Sequence, residues 1–136
     1  MDLLKEYIEA IYEIERINSE PLKWNTVRRN NRFADKAHKI ALKIDAKYPE
    51  LKEDYFQLLY HENAKVRGWT AYRVAETMHY DNEHRKCALD YIIAVAVSDD
   101  RKHSIDAKFW LRYWLQKHPE DMELIEDKAA VSEILK

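Results

Sequence analysis

Glycine, proline and cysteine are scarce in this chain, and each scarcity excludes a class of structure. One Gly and three Pro in 136 residues supply too few turn residues for an all-β fold, which needs them at its hairpins. The single cysteine, Cys87, cannot form an internal disulfide. The longest apolar run, residues 91–97, is far shorter than the roughly 20 residues that a membrane helix needs. We therefore predict an all-α protein with no membrane-spanning segment.

The amino-terminal stretch MDLLKEYIEAIYEIER carries a charge every few positions instead of an apolar core behind basic residues. That pattern is not typical of a signal peptide, so we expect a cytoplasmic protein. A chain of 136 residues can bury a core without disulfides or metals. We predict a single domain over residues 1–136 with no cofactor and no bound metal.

Helical periodicity runs through most of the sequence. Leu4, Ile8, Ile11 and Ile14 form one apolar stripe on a first helix that ends near Ile17. The NSEP motif at 18–21 ends that helix and starts a second, which extends to about Tyr48. Further helices are predicted at roughly 50–60, 63–79, 83–97, 104–117 and 121–135. The domain then comprises an N-terminal helix pair at 1–48, two helix pairs at 50–118 and a C-terminal tail helix at 120–136.

The four middle helices resemble one another when the chain is shifted by 36 positions. Tyr55 then aligns with Tyr91, Ala71 with Ala107, and Leu59 with Val95. Two helix pairs at this spacing are typical of a solenoid, in which each pair covers the apolar face of the next. An irregular helical bundle with a coincidental spacing is the alternative.

Residues 61–76, HENAKVRGWTAYRVAE, contain the only glycine. On a helix, one face of this segment and its continuation carries Val66, Thr70, Ala71, Val74, Ala75 and Met78. Arg67 lies near the middle of that face and must find carboxylates or helix-end carbonyls there, so we interpret it as structural. Gly68 lies at its margin, and we expect its missing Cβ to admit a neighbouring backbone.

The stretches NNRFADKAHKI, LLYHENAKVRGWTAYRVAE and AKFWLRYWL are together similar to a family of small bacterial HEAT-like domains of unknown function. The resemblance covers about residues 28–118, and residues 61–76 look like the second helix of a HEAT repeat, from which Gly68 and Thr70 depart. It implies a HEAT-like α–α superhelix, a short solenoid of antiparallel helix pairs, that binds another macromolecule. Some similar proteins are immunity proteins that neutralise a toxin domain, and no catalytic residue comes with the resemblance.

If the second helix of each pair lines a concave surface, the side chains opposite the core are candidates for binding a protein partner. They are Trp69, Tyr72, Arg73 and Glu76 on one helix, and Ile105, Lys108, Phe109 and Arg112, with Tyr113 beside them, on the next. Aromatic residues mixed with arginine are typical of interface hot spots. The alternative is that another helix covers these residues.

The second helix carries a basic face, formed by Arg28, Arg29, Arg32, Lys36, Lys39, Lys43 and Lys47. Such a face could bind nucleic-acid phosphates, with nearby aromatic residues stacking on bases. A solvated face partly neutralised by the acidic first helix, or a contact for an acidic protein, remains open. The formal net charge of −2 favours a protein partner over a nucleic acid.

The C-terminal residues 120–136 hold six acids against two lysines and could mask a basic toxin surface. Enzymatic interpretations are weaker. His79, His84 and Cys87 do not have the spacing of a structural zinc site, and we interpret Cys87 as a small core residue. A helical-repeat DNA glycosylase would need a carboxylate beside the tryptophans, and none stands out near Trp69, Trp110 or Trp114. We predict a non-enzymatic protein-binding module, with nucleic-acid binding as the alternative.

Overall fold

The computed structural model describes residues 2–136, and every regular element within them is helical. The described part of the chain forms seven α-helices: α1 (Leu3–Ser19), α2 (Thr26–Lys47), α3 (Lys52–Gln57), α4 (Ala64–Tyr72), α5 (Asn82–Ala96), α6 (Arg101–Lys117) and α7 (Lys128–Ile134). The absence of strands from residues 2–136 confirms the all-α prediction. The chain divides into two compact units, unit 1 ending at His79 and unit 2 running from Tyr80 to Lys136.

An Asp or Asn side chain caps the start of most of these helices. The caps are Asp2 for α1, Asn63 for α4, Asp81 for α5, Asp100 for α6 and Asp127 for α7. Each accepts a backbone N–H of the first turn, which would otherwise lack an intrahelical partner. These capping residues mark the first residue of each helix more precisely than the spacing of apolar residues does.

The second helix begins at Thr26, so the prediction that it starts at the NSEP motif was wrong. Glu20 has an extended backbone with ψ of 158°, as expected for a residue that precedes a proline. The chain then turns, and the backbone N–H of Lys23 donates to Oγ1 of Thr26 at 2.8 Å. Residues 20–25 therefore form a connection outside both helices.

Three other predicted helices are interrupted. Residues 50–60 comprise α3 between two 3₁₀ turns, Pro49–Leu51 and Leu58–Tyr60. The predicted helix at 63–79 is α4 followed by a π-helical segment, Arg73–Thr77. The predicted tail helix is a 3₁₀ segment, Pro119–Leu124, and then α7, because Ile125 is extended and Asp127 caps a new helix.

The core of unit 1 contains a buried chain of hydroxyl groups. Tyr55 donates its hydroxyl hydrogen to Tyr7 at 2.9 Å, and the Tyr7 oxygen lies 3.2 Å from Oγ1 of Thr70. The two rings meet edge to face with centroids 4.9 Å apart. Burial raises the pKa of Tyr7 to about 12. This network gives the buried hydroxyl of Thr70 on α4 a hydrogen-bond partner.

The apolar face predicted for residues 66–78 is confirmed, since all six of its members are buried. Gly68 does not have the role we expected. A Cβ built on Gly68 meets nothing within 4 Å, so no neighbouring backbone requires its absence. Arg67 does reach carbonyl groups, donating to the backbone oxygens of His61 at 2.8 Å and Glu62 at 3.0 Å. Those carbonyls belong to the turn just before α4, at the end of the preceding 3₁₀ segment.

Unit 2 is organised around a buried carboxylate. Arg85 donates to both oxygens of Asp121, at 2.9 and 2.6 Å, and the indole N–H of Trp114 donates to the same carboxylate at 2.7 Å. Burial alone would raise the pKa of Asp121, but the hydrogen bonds from Arg85 and Trp114 outweigh it and the pKa is lowered. Trp114 is sandwiched between Trp110 and His118, with centroid separations of 5.3 and 3.9 Å. The 3₁₀ segment that carries Asp121 is thereby held onto α5 and α6.

The internal repeat remains a prediction. Equivalent positions are buried together at Ala71 and Ala107 and at Ala75 and Leu111. The equivalent helices differ, however, because α5 is continuous over 15 residues whereas residues 49–60 contain two 3₁₀ turns.

Candidate functional site

The exposed side of α6 carries three large side chains one helical turn apart. Ile105 is 51% exposed, Phe109 65% and Tyr113 52%. We name these three residues the α6 stripe. The opposite side of the helix is buried through Ala107, Leu111 and other small or apolar residues. The helix therefore presents a second apolar face that unit 2 does not cover.

Basic groups border the α6 stripe. Nε of Arg112 donates to the backbone oxygen of Ile134 at 2.8 Å, which fixes the guanidinium beside the end of α7. Nζ of Lys117 lies 4.9 Å from the centroid of the Tyr113 ring, within cation–π range. Of the residues predicted here, Phe109, Arg112 and Tyr113 are exposed and Lys108 is half-buried. Sequence reasoning missed Lys117.

The other half of the predicted partner-binding set lies in unit 1 and is less open. Trp69, Tyr72 and Arg73 are half-buried and only Glu76 is exposed. The Arg73 guanidinium stacks over the Trp69 ring at 4.8 Å from its centroid. After burial, the charge of Arg73 is the next cause of the lowered pKa of His38 on α2, so Arg73 lies beside that helix. Trp69, Tyr72 and Arg73 are only partly exposed, and Trp69 and Arg73 contact each other. They therefore do not form a stripe that faces solvent along its whole length.

The basic face predicted for α2 is largely exposed to solvent. Six of its members, which we name the α2 basic stripe, are Arg28, Arg32, Lys36, Lys39, Lys43 and Lys47, all exposed except Lys43, which is half-buried. Arg29 is left out of the stripe, because it lies 3.5 Å from a carboxylate oxygen of Glu20. Four stripe residues line a shallow groove of about 480 Å³ beside α1, together with Glu6 and Asp35.

The turn before α2 exposes apolar side chains that the sequence analysis did not single out. Leu22 and Trp24 are both 89% exposed. Val27 is also exposed, because α2 begins only at Thr26 and its first turn extends beyond the core. In the sequence, Pro21 indicates this connection, because a proline disfavours helical backbone at the residue before it. Trp24 then lies outside a helix and has no helical face through which it could be buried.

The two histidines considered for a metal site have carboxylate partners, and Cys87, interpreted as a core residue, is half-buried. Nδ1 of His79 lies 2.7 Å from Asp45, and Nδ1 of His84 lies 2.6 Å from Asp81. Within residues 2–136, no three or more His, Cys, Asp or Glu side chains are grouped so as to hold a metal ion. A carboxylate does lie beside a tryptophan, contrary to our expectation, but Asp121 is buried and neutralised by Arg85. Its position is that of an internal ion-pair partner.

The acidic tail is also partly committed to internal contacts. Besides Asp121, Glu126 lies 3.1 Å from Nζ of Lys86, and Glu133 lies 2.8 Å from Lys136. Only part of this charge faces solvent without a partner, which weakens the idea that the tail masks a basic surface.

Comparison with protein-family models, curated proteins and solved structures gives no significant match. None of the helices in residues 2–136 has the length and apolar character needed to cross a bilayer.

Proposed function

We propose that this chain is a non-enzymatic protein-binding module that contacts its partner through the α6 stripe. The observation that carries the proposal is the regular spacing of Ile105, Phe109 and Tyr113, each more than half exposed. Scattered apolar residues are normal on protein surfaces, but an aligned set with two aromatic rings is typical of a contact site. Burial of such side chains releases free energy without ordering long flexible chains.

The basic border of the α6 stripe specifies the chemistry of the partner. Arg112 and Lys117 each hold a positive charge next to Tyr113 or the end of α7. A partner with an apolar ridge flanked by carboxylates would fit this surface, as an amphipathic helix does when its apolar residues recur every third or fourth position. The pair would associate through buried aromatic anchors and be oriented by the surrounding charges.

The HEAT-like resemblance adds a finer proposal. A short α-solenoid of the kind it implies presents helices as a binding surface, and the immunity proteins among similar chains bind toxin domains. We extend the proposal to a toxin domain as the partner, provided that the toxin offers the acidic and apolar surface described above.

The experiment is affinity capture from extracts of the native cell, followed by titration of the captured protein in purified form. Phe109→Ala removes the most exposed ring of the α6 stripe and should weaken binding by about 30-fold or more, equivalent to the ~2 kcal/mol loss that defines a hot spot. Its matched control is Tyr60→Ala, which truncates an aromatic residue in unit 1 that is 63% exposed and should leave the affinity unchanged. Equal binding by the parent and Phe109→Ala would contradict the proposal.

A further inference from the structure

The α2 basic stripe lies in unit 1 and takes no part in the proposed protein contact on α6. Its six residues are spaced by three or four positions, so they lie within an arc of roughly 100° along one side of α2. From Arg28 to Lys47 the row extends about 28 Å at 1.5 Å per residue. The result is a nearly straight line of positive charge.

This line of charge is only partly offset by carboxylates nearby: Glu6 and Asp35 line the groove beside it, and Glu9 and Glu13 line a second groove with Lys36. Elsewhere, basic residues have close acidic partners, such as Lys52 with Asp45 at 2.9 Å and Lys86 with Asp90 at 2.7 Å. Among the carboxylates of residues 2–136, none forms an ion pair with any member of the α2 basic stripe, although the chain has 25 Asp and Glu. Six like charges repel one another along a helix, so the row costs stability unless an external anion binds to it.

The geometry of the row favours one class of anion. A folded protein offers carboxylates at irregular positions, whereas a nucleic-acid strand repeats a phosphate at a constant interval. At a length of about 28 Å, the row can follow several consecutive phosphates of a single strand. The groove beside Arg32, Lys36, Lys39 and Lys43 has four bases against two acids and is shallow enough to follow a flexible backbone.

A stacking platform lies at the start of the same helix. Trp24 is 89% exposed and precedes Arg28 by four residues. An unpaired nucleobase can stack on an indole, and this contact is independent of sequence because every base has a π face. A duplex keeps its bases stacked internally and could not use Trp24 in this way. We propose that α2 and its preceding turn form a binding site for single-stranded nucleic acid, with phosphates along the α2 basic stripe and a base on Trp24.

Salt dependence provides the first test. The full chain is titrated against a fluorescently labelled 20-residue oligothymidylate, with binding followed by anisotropy between 50 and 200 mM salt. Six phosphate contacts predict a slope of log affinity against log salt of about −4, or a loss of roughly 300-fold over that range. No binding at 50 mM salt, or binding with a slope near zero, would overturn the proposal.

Matched variants locate the site. The double variant Arg32→Gln with Lys36→Gln removes two of the six phosphate contacts. Its affinity for the oligonucleotide should then fall by about 50-fold between 50 and 200 mM salt, instead of roughly 300-fold. Arg101→Gln with Lys102→Gln makes the same change in net charge on α6 and should retain the parent slope. If both pairs weaken binding equally, the effect reflects overall charge and the assigned site is wrong.

The contribution of Trp24 separates single strands from other anions. Trp24→Ala should weaken oligothymidylate binding by at least five-fold without changing the salt slope, because stacking releases no counterions. Tighter binding to a duplex of the same length would overturn the single-strand assignment. Displacement of the oligonucleotide by polyglutamate at equal charge concentration would show that the stripe accepts any polyanion, including an acidic protein, and would also contradict it.

Discussion

Replacement of Asp121 by asparagine tests the account of unit 2. The substitution preserves the size of the side chain and removes its charge, so Arg85 loses a bidentate partner while keeping only 17% of its side chain exposed. Breaking a buried ion pair by changing one member costs about 3–5 kcal/mol. Because Arg85 retains some access to water and Asn can still accept from Trp114, we expect a loss of about 2–3 kcal/mol.

Urea denaturation followed by tryptophan fluorescence measures this loss, since Trp110 and Trp114 stack in the same unit. A change of 2–3 kcal/mol corresponds to roughly 8–12 °C in Tm for a domain of this size. Asp106→Asn is the control, because Asp106 is exposed on α6, and it should change stability by no more than about 0.5 kcal/mol. A similarly small effect for Asp121→Asn would refute the reasoning.

The same carboxylate predicts a difference in acid stability. The folded-state pKa of Asp121 is lowered relative to its ordinary value of 3.8, so its stabilising contribution is present above that value and is lost as the pH falls through the lowered pKa. The stability gap between the parent and Asp121→Asn should therefore be constant near neutral pH and shrink below about pH 4. If the stability difference between the parent and Asp121→Asn grew on acidification, Asp121 would not be the ionised partner of Arg85 in the folded state.

Two further substitutions test unit 1. Gly68→Ala should stabilise the protein by about 0.5–1 kcal/mol in thermal unfolding, because the added methyl group meets no atom within 4 Å and alanine has the higher helix propensity; a destabilised variant would show that the site is not open. Tyr7→Phe should cost about 1–2 kcal/mol near neutral pH by depriving the hydroxyls of Tyr55 and Thr70 of their shared partner. Burial raises the pKa of Tyr7 to about 12, so the folded state keeps this proton while the unfolded state loses it near pH 10, and stability falls between those values. That alkaline fall should be shallower in Tyr7→Phe, and identical pH profiles would contradict the buried position.

The sequence predicted those features that depend on periodicity. The buried face of residues 66–78 and the basic face of α2 both follow from side chains recurring every three or four positions, and the structure confirms them. Arg67 also binds carbonyl groups as expected. A cation beside an apolar face must hydrogen-bond to one of the few polar groups within its reach, because leaving its charge unpaired costs free energy.

Features that depend on a single local contact were not predictable. The start of α2 was misplaced because the turn at 20–25 depends on the hydrogen bond between Lys23 and Thr26, which has no periodic signal. Gly68 was misinterpreted because an absent side chain does not reveal what lies opposite it. Asp121 was overlooked because its partner Arg85 is 36 residues away, and no single-sequence pattern joins two such positions.

Photo-crosslinking in the native cell tests the central proposal most directly. A photoreactive phenylalanine analogue is placed at Phe109, and in a second variant at Tyr12, an exposed aromatic position on α1. The account predicts a discrete protein adduct from position 109 that is absent from position 12 and is lost when Tyr113→Ala is added. No adduct from position 109, or the same adducts from both positions, would contradict the proposal that the α6 stripe is a protein-binding surface.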